Sequence, residues 1–414
     1  MIGAAIANMG EDGMNEPTEG WPAYFRIRNA SALVLLGAFL ASCTTAPNVD
    51  HLVRHDDDLL HMGDELLVLD PTPAYLAALP EMGLAIREVT DLGSMGSKLY
   101  HMDIVDGRHP LHIRDHHQSR FPNVTVDVHH HFEHHATRKK RAVDKNYTAR
   151  GATKWKKAGA RCGRGIRIGI IDSGVDLKHP ALKGVAHKHR SFKLKGQKPP
   201  NAIHGTAVTT ILAGRGAWGG LLPYAEYRTA NIFHRGKRGK NVGSTKAIIL
   251  ALDWLLKEKV SVINMSIGGA PNALLRKAIQ FVRKRGIIIV ASAGNSGPFS
   301  KKKSYPAAYK EVIAVTALDK FERNAKFASS GDYLEFATPG VNIWTAVPRG
   351  GRAMSGTSFA APIFAGYAAA ALKMNGVKGL KAVRNYFRKH SKDKAKKGWD
   401  KYTGWGLVQL KRPC

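Results

Sequence analysis

From Arg167 to Thr316 the chain repeats one pattern, a short apolar run followed by a longer stretch whose apolar positions recur with helical spacing. The runs are Arg167–Ile171, Arg228–Phe233, Val260–Asn264, Ile287–Ser292 and Val312–Thr316. Between them, Ser244–Glu258 sets Ile248, Ile249, Leu252, Leu255 and Leu256 on one helical face, and Asn272–Arg285 is patterned similarly. Alternation at this spacing predicts an α/β fold of three layers, a mostly parallel sheet with helices on both sides. Such sheets carry their chemistry at the carboxyl ends of the strands, which is where candidate residues are sought.

Composition narrows the classes. The 414 residues, 44% hydrophobic, suffice for two or three domains with a full core. The three cysteines, Cys43, Cys162 and Cys414, include no CxxC pair, so neither a stapled scaffold nor a structural zinc fold is supported. A net charge of +31 first suggests an acidic partner such as nucleic acid. The charge is divided, however. Residues 1–137 hold 8 Lys+Arg against 19 Asp+Glu and 13 of the 19 histidines, whereas residues 138–414 hold 55 against 13. The run Arg138-Lys139-Lys140-Arg141 at the junction reads as an exposed linker.

The front begins as a targeting segment. Arg26 and Arg28 precede the apolar run Ala32–Leu40, too short for a membrane-spanning helix and suited to a secretory signal. Leu40-Ala41-Ser42-Cys43 resembles the lipobox of bacterial lipoproteins, which implies a lipid on Cys43 and an exported, envelope-anchored or secreted protein. The domains expected are therefore a signal peptide over 1–43, an acidic His-rich unit over 44–137 and a basic domain over 138–414. Within the second, strands at Glu65–Leu69, Ala85–Val89, Lys98–Val105 and Val124–Val128 and a helix from Pro73 to Leu79 follow a ferredoxin-like α+β order.

Three segments of the basic domain stand out. Asp172 closes an apolar strand before Ser173-Gly174; His204 opens the small-residue helix His204–Gly214; Ser358 precedes an alanine-rich helix read as Ile363–Leu372. Alone, each has a bland explanation: a turn acid, a structural polar group and a helix cap. Together, in the order Asp, His, Ser and each beside glycine, they resemble the subtilisin-like serine proteases, or subtilases. The resemblance covers about residues 150–410 and includes Ala291–Gly297 and the turn Gly404-Trp405-Gly406.

That resemblance implies a serine endopeptidase. A serine hydroxyl is a weak nucleophile at neutral pH, so Ser358 needs a base; His204 accepts its proton, and Asp172 holds the imidazole in the right tautomer. Asn295 and the Ser358 backbone N–H would form the oxyanion hole. Asp176 reads as a turn acid. Pro362 is expected within the first helical turn, where N–H groups lack intrahelical partners. Val262–Gly269 resembles the strand that pairs with extended substrate, with Ser266 and Gly268 near the pocket mouth, and Ser304 belongs to the segment closing the specificity pocket. Lys301-Lys302-Lys303 either points inward and selects acidic side chains or is a set of solvated loop charges.

The family also carries an N-terminal inhibitory prodomain, which implies that the acidic unit plays this part. Its tail, about Val128–His135, would lie in the active site and be processed somewhere between His129 and Arg141. Protonation of the 13 histidines would turn attraction for the basic domain into repulsion, so acid is expected to promote release. The partners expected are protein or peptide substrates, the chain's own prodomain and, through Cys43, a membrane; nucleic acid is not expected and a monomer is. No cofactor is required, and structural calcium is admitted by the resemblance without support from an Asp-rich loop. Cys162 and Cys414 either pair or stay free. A catalytically silent basic module for anionic surfaces is the alternative; an esterase is opposed by the lack of Gly-x-Ser-x-Gly.

Overall fold

The computed structural model describes residues 52–54, 60–134, 144–155, 162–194, 196–236, 239–394 and 397–410, with side chains from Gly63 onward. The signal segment with Cys43, the linker at 138–141 and Cys414 lie outside these residues.

The N-terminal unit comprises β1 (Leu52–Arg54), β2 (Leu60–Leu69), α1 (Pro73–Ala77), β3 (Leu84–Leu92), β4 (Ser97–Ile104), α2 (Pro110–Arg120) and β5 (Thr125–His134). Its strands pair antiparallel in the order β3-β4-β2-β5, with β1 added against β2. This is the expected order. Strand alternation explains its two faces: Leu66, Val68, Met102, Val126 and Val128 pack with Tyr75 and Ile113 of its own helices, whereas Leu67, Leu69, Leu99 and Phe132 point the other way. The last strand runs six residues beyond the expected Val128, to His134.

The basic domain adds α3 (Ala149–Ala152), β6 (Arg167–Asp172), β7 (Ala186–Ser191), α4 (Ile203–Ala213), β8 (Glu226–Asn231), β9 (Phe233–Arg235), β10 (Asn241–Ser244), α5 (Thr245–Lys257), β11 (Val262–Met265), β12 (Ile267–Gly269) and α6 (Ala273–Lys284). It continues with β13 (Ile288–Ser292), β14 (Ile313–Leu318), β15 (Phe336–Pro339), β16 (Ile343–Val347), β17 (Gly350–Met354), α7 (Thr357–Met374), α8 (Gly379–His390), β18 (Ser391–Lys392) and β19 (Leu407–Val408). Nine strands form the central sheet, in the order β18-β19-β15-β14-β13-β11-β6-β8-β7, and every pairing is parallel except β18 with β19.

Successive strand residues feed two cores. Ile168, Ile170, Val262, Val290 and Val315 pack under α4 and α7; Ile171, Ile263, Met265, Ile289 and Ala314 pack under α5 and α6. The outward face of the N-terminal sheet joins the second core, so α5 and α6 are covered on both sides. Polar contacts reinforce the join: Asp253 accepts from the Ser94 and Met95 N–H groups at 2.9 Å each, and Asp127 accepts the Ala273 N–H at 2.7 Å, in the first turn of α6. The expected division between residues 137 and 138 is therefore bridged by a shared core.

One expectation is corrected. The helix carrying Ser358 starts at Thr357, not Ile363, which puts Pro362 in its interior rather than its first turn. A proline there has no N–H for the carbonyl four residues back, that of Ser358. This carbonyl instead accepts the Ser266 hydroxyl at 2.8 Å. Farther along α7, Phe364 stacks on Phe336 with centroids 5.0 Å apart and packs against Phe387 at 4.8 Å. Replacement Phe364→Ala is expected to lower stability by about 3–5 kcal/mol, read as a fall in thermal midpoint by circular dichroism.

Candidate active site

The carboxyl end of β6 delivers Asp172, and the first turn of α4 delivers His204. Gly205 makes their approach feasible. A Cβ on it would lie 2.5 Å from the Ser173 carbonyl oxygen, so only glycine lets this turn sit so close to the strand end. The resulting contact is direct: His204 Nδ1 lies 2.8 and 3.0 Å from the two Asp172 carboxylate oxygens, and both residues are buried. Burial pushes the Asp172 carboxyl up, but the charge of His204 and hydrogen bonds from His134 and His204 outweigh it and hold the group well below the usual carboxylate range. The other ring nitrogen of His204, Nε2, is buried without a hydrogen-bond partner in the protein. Its ring packs near Phe359, centroids 5.3 Å apart, which brings it beside the turn of α7 that carries Ser358.

Ser358 is the second residue of α7, where backbone N–H groups lack intrahelical acceptors and the helix dipole favours negative charge. Asn295 reaches the same turn from the loop after β13. Gly294 directs it there with φ +107°, a conformation open to glycine. The Asn295 Oδ1 accepts from the Thr357 N–H at 3.1 Å and the Thr357 hydroxyl at 3.0 Å, which fixes the amide; its Nδ2 is buried with no protein partner. A donor held in place and left unpaired can meet a developing negative charge without reorganisation.

The cleft is bordered by two strands. Residues 131–134 of β5 enter it antiparallel to both, Phe132 and His131 against Gly243 and Ser244 of β10, and Phe132, Glu133 and His134 against Gly269, Gly268 and Ile267 of β12. Glycine at 269 is required, because a Cβ would lie 2.6 Å from the Phe132 ring. Gly268 lies opposite Glu133 of β5. The Ser266 side chain does not face the cleft: the hydroxyl accepts from Asn264 Nδ2 at 2.9 Å and donates to the Ser358 carbonyl, so Ser266 ties the end of β11 to α7. Ser304 is buried next to Gly294, and Tyr305 exchanges backbone hydrogen bonds with Gly269 at 2.9 and 3.1 Å, closing the wall beyond β12. Lys301, Lys302 and Lys303 are exposed, and Lys303 pairs with Asp332 at 2.7 Å, which decides for solvated loop charges over an inward acidic selector. Asp176 accepts the Lys178 N–H and is a turn acid.

Sequence reading put His134 in the tail expected at the active site but not against any particular residue. His134 stacks on His204 with centroids 4.1 Å apart and 13° between planes, and its Nε2 lies 3.4 Å from Asp172 Oδ1. Only the register of β5 against β12 reveals it. Among the described residues, two clusters hold metal-ligating atoms within 4.8 Å of one another, His134 with Asp172 and His204, and Glu65 with His101 and His129. Neither is the oxygen-only set that calcium takes. Cys162 is buried and disulfide-bonded.

Comparison with known proteins agrees with this arrangement. Residues 163–406 match the model of the subtilase family. Subtilisin DY of Bacillus licheniformis is 32% identical over 256 residues, 60% of this chain and 90% of its own length. The minor extracellular protease Epr of Bacillus subtilis is 30% identical over 255 residues, again 60% of this chain but 38% of Epr. The crystal structure of fervidolysin from Fervidobacterium pennivorans, a keratinolytic enzyme related to subtilisin, shares the fold at TM-score 0.69 and 21% identity, over 86% of this chain and 61% of its own. That span exceeds the family-matched residues and so takes in part of the N-terminal unit. With the family model covering more than half of the chain, and an Asp–His pair set against the N-terminal turn of a serine-bearing helix, the protein belongs to the subtilase family and is a serine endopeptidase.

Proposed function

We propose that Asp172, His204 and Ser358 are the catalytic triad and that hydrolysis runs through an acyl-enzyme on Ser358. The observation that carries this is the buried Asp172–His204 contact at the strand ends beside the first turn of α7. In the reaction, His204 Nε2 takes the Ser358 hydroxyl proton as the oxygen attacks the scissile carbonyl, then returns it to the leaving amine. Asp172 stabilises the imidazolium. Asn295 Nδ2 and the Ser358 N–H receive the oxyanion, and the bond from Ser266 to the Ser358 carbonyl holds the turn that presents them.

The N-terminal unit is proposed to be an intramolecular inhibitor. Support comes from β5, which occupies the channel between β10 and β12 as an added strand, the mode by which extended peptides are bound. The antiparallel register against β12 runs from Gly269 toward Ser266, and so toward Ser358, as β5 runs from Phe132 to His134. The processing bond is therefore proposed just past His134, within residues 135–141. Export with a lipid on Cys43, release from that anchor by processing, and action as a monomer complete the proposal; the last is supported by a site built from one chain. Among the described residues no helix is long and apolar enough to cross a membrane.

Acid release acquires specific groups. Burial, with the nearby His204, pushes the His134 imidazole down to about 4 against the pull of Asp172. Burial also lowers His129, which faces Glu65, His101 and Lys246. Once released, His134 would titrate near 6.5, whereas His129 keeps Glu65 and His101 of its own unit as neighbours. The released unit therefore binds more protons than the docked one, so docking is fully stable above about pH 6.5 and weakens as pH falls from there toward 4.

Three outcomes are expected. The Ser358→Ala precursor should stay unprocessed and leave casein intact, whereas the wild-type chain is cut within 135–141, as mass spectrometry of the fragments would show; intact wild-type precursor without proteolysis overturns the proposal. The Asn295→Ala enzyme should lose about 10²–10³ in turnover, the size known for this donor in a subtilisin. In the processed wild-type complex, His134 alone should weaken inhibition by tens of fold between pH 7.5 and 5, measured as the onset of peptide hydrolysis; equal onset at both values counts against the acid switch.

A further inference from the structure

The slot that holds His134 is built from flat groups. One wall is the His204 ring, parallel to His134 at 4.1 Å; the other is Phe233, tilted by 38° with centroids 3.9 Å apart. At the far edge stands Asp172, its Oδ1 3.4 Å from His134 Nε2 and 2.8 Å from His204 Nδ1. The next residue back along the strand, Glu133, is exposed, as alternation along a strand requires. Position 134 thus differs from its neighbour in meeting two ring faces and a carboxylate.

The shape and charge of this slot select among side chains. A planar ring fits between the two faces; a methyl group leaves both uncovered, and a β-branched aliphatic chain cannot lie flat against either. Among the single-ring side chains, imidazole alone also brings a nitrogen to the edge where the Asp172 carboxylate lies. Phenylalanine and tyrosine would keep the stacking and lose that contact.

We propose that the subsite next to the catalytic histidine is selective for histidine in protein substrates, with Phe233 as its specificity-determining wall. The inference rests on the protease reading, in which substrate takes the path of β5. Selectivity then follows from this chain's own residues: Phe233 and His204 clasp the imidazole, and the Asp172 carboxylate lies 3.4 Å from its ring nitrogen.

Processed enzyme would be given peptides copying residues 130–138 with position 134 varied, and kcat/KM for cleavage past that position read by mass spectrometry. The expected order is His first, Phe and Tyr about three- to tenfold lower, and Ala, Gly and Val at least about tenfold lower. Because Phe233 is fully buried, the conservative Phe233→Leu variant is used, with circular dichroism to confirm folding. It should narrow the ratio of His to Ala peptides several-fold. Cleavage of all peptides at similar rates, or a ratio unmoved in folded Phe233→Leu enzyme, overturns the inference and leaves the protease reading intact. Cleavage of none overturns both.

Discussion

The parallel sheet imposes the constraint on which the site depends. Its central strands are apolar on both faces, so helices must cover both, and the crossovers between parallel strands return the chain to the same edge. The carboxyl ends of β6, β11 and β13 are thereby brought close together, although they are scattered across more than a hundred residues. Asp172, Ser266 and Asn295 follow those three ends directly or within a few residues. Catalytic geometry is a by-product of burying the sheet, with Gly205 and Gly294 removing the side chains that would hold the parts apart.

A proline inside α7 shows how a local cost becomes a positioning device. Pro362 deprives the Ser358 carbonyl of its helical donor, and a buried unpaired carbonyl would be destabilising. The Ser266 hydroxyl supplies the missing bond and is itself oriented by Asn264. Since Ser266 begins the turn into β12, α7 and the segment leading into β12 are joined by one hydrogen bond. The same residue that resembles a pocket contact in sequence is thus a structural link beneath it.

The N-terminal unit contributes apolar surface as well as opposite charge. Leu67, Leu69, Leu99 and Phe132 enter the core under α5 and α6, and Lys246, almost wholly buried, finds its carboxylate partner in Glu88 at 2.7 Å. Histidines are concentrated where this join meets the active site, since His129 lies against Glu65 and His134 against Asp172.

Much of this was legible in residue order. Periodicity located the strands and helices, and Asp172, His204, Asn295 and Ser358 were identifiable because each stands beside glycine in a motif whose chemistry demands those types. Two readings were beyond local pattern. The helix α7 starts at Thr357 rather than at the expected Ile363, and a tertiary hydrogen bond to the Ser358 carbonyl makes the interior position of Pro362 tolerable. The place of His134 was hidden because a run of histidines carries no register; only antiparallel pairing with β12 sets which of them faces His204 and Phe233. Sequence by itself determined the layered fold, through the spacing of its apolar residues, and carried the motifs that resemble the subtilases and hold the proposed triad. Tertiary structure alone decided which groups touch, because distance between strand ends is set by how the two cores pack.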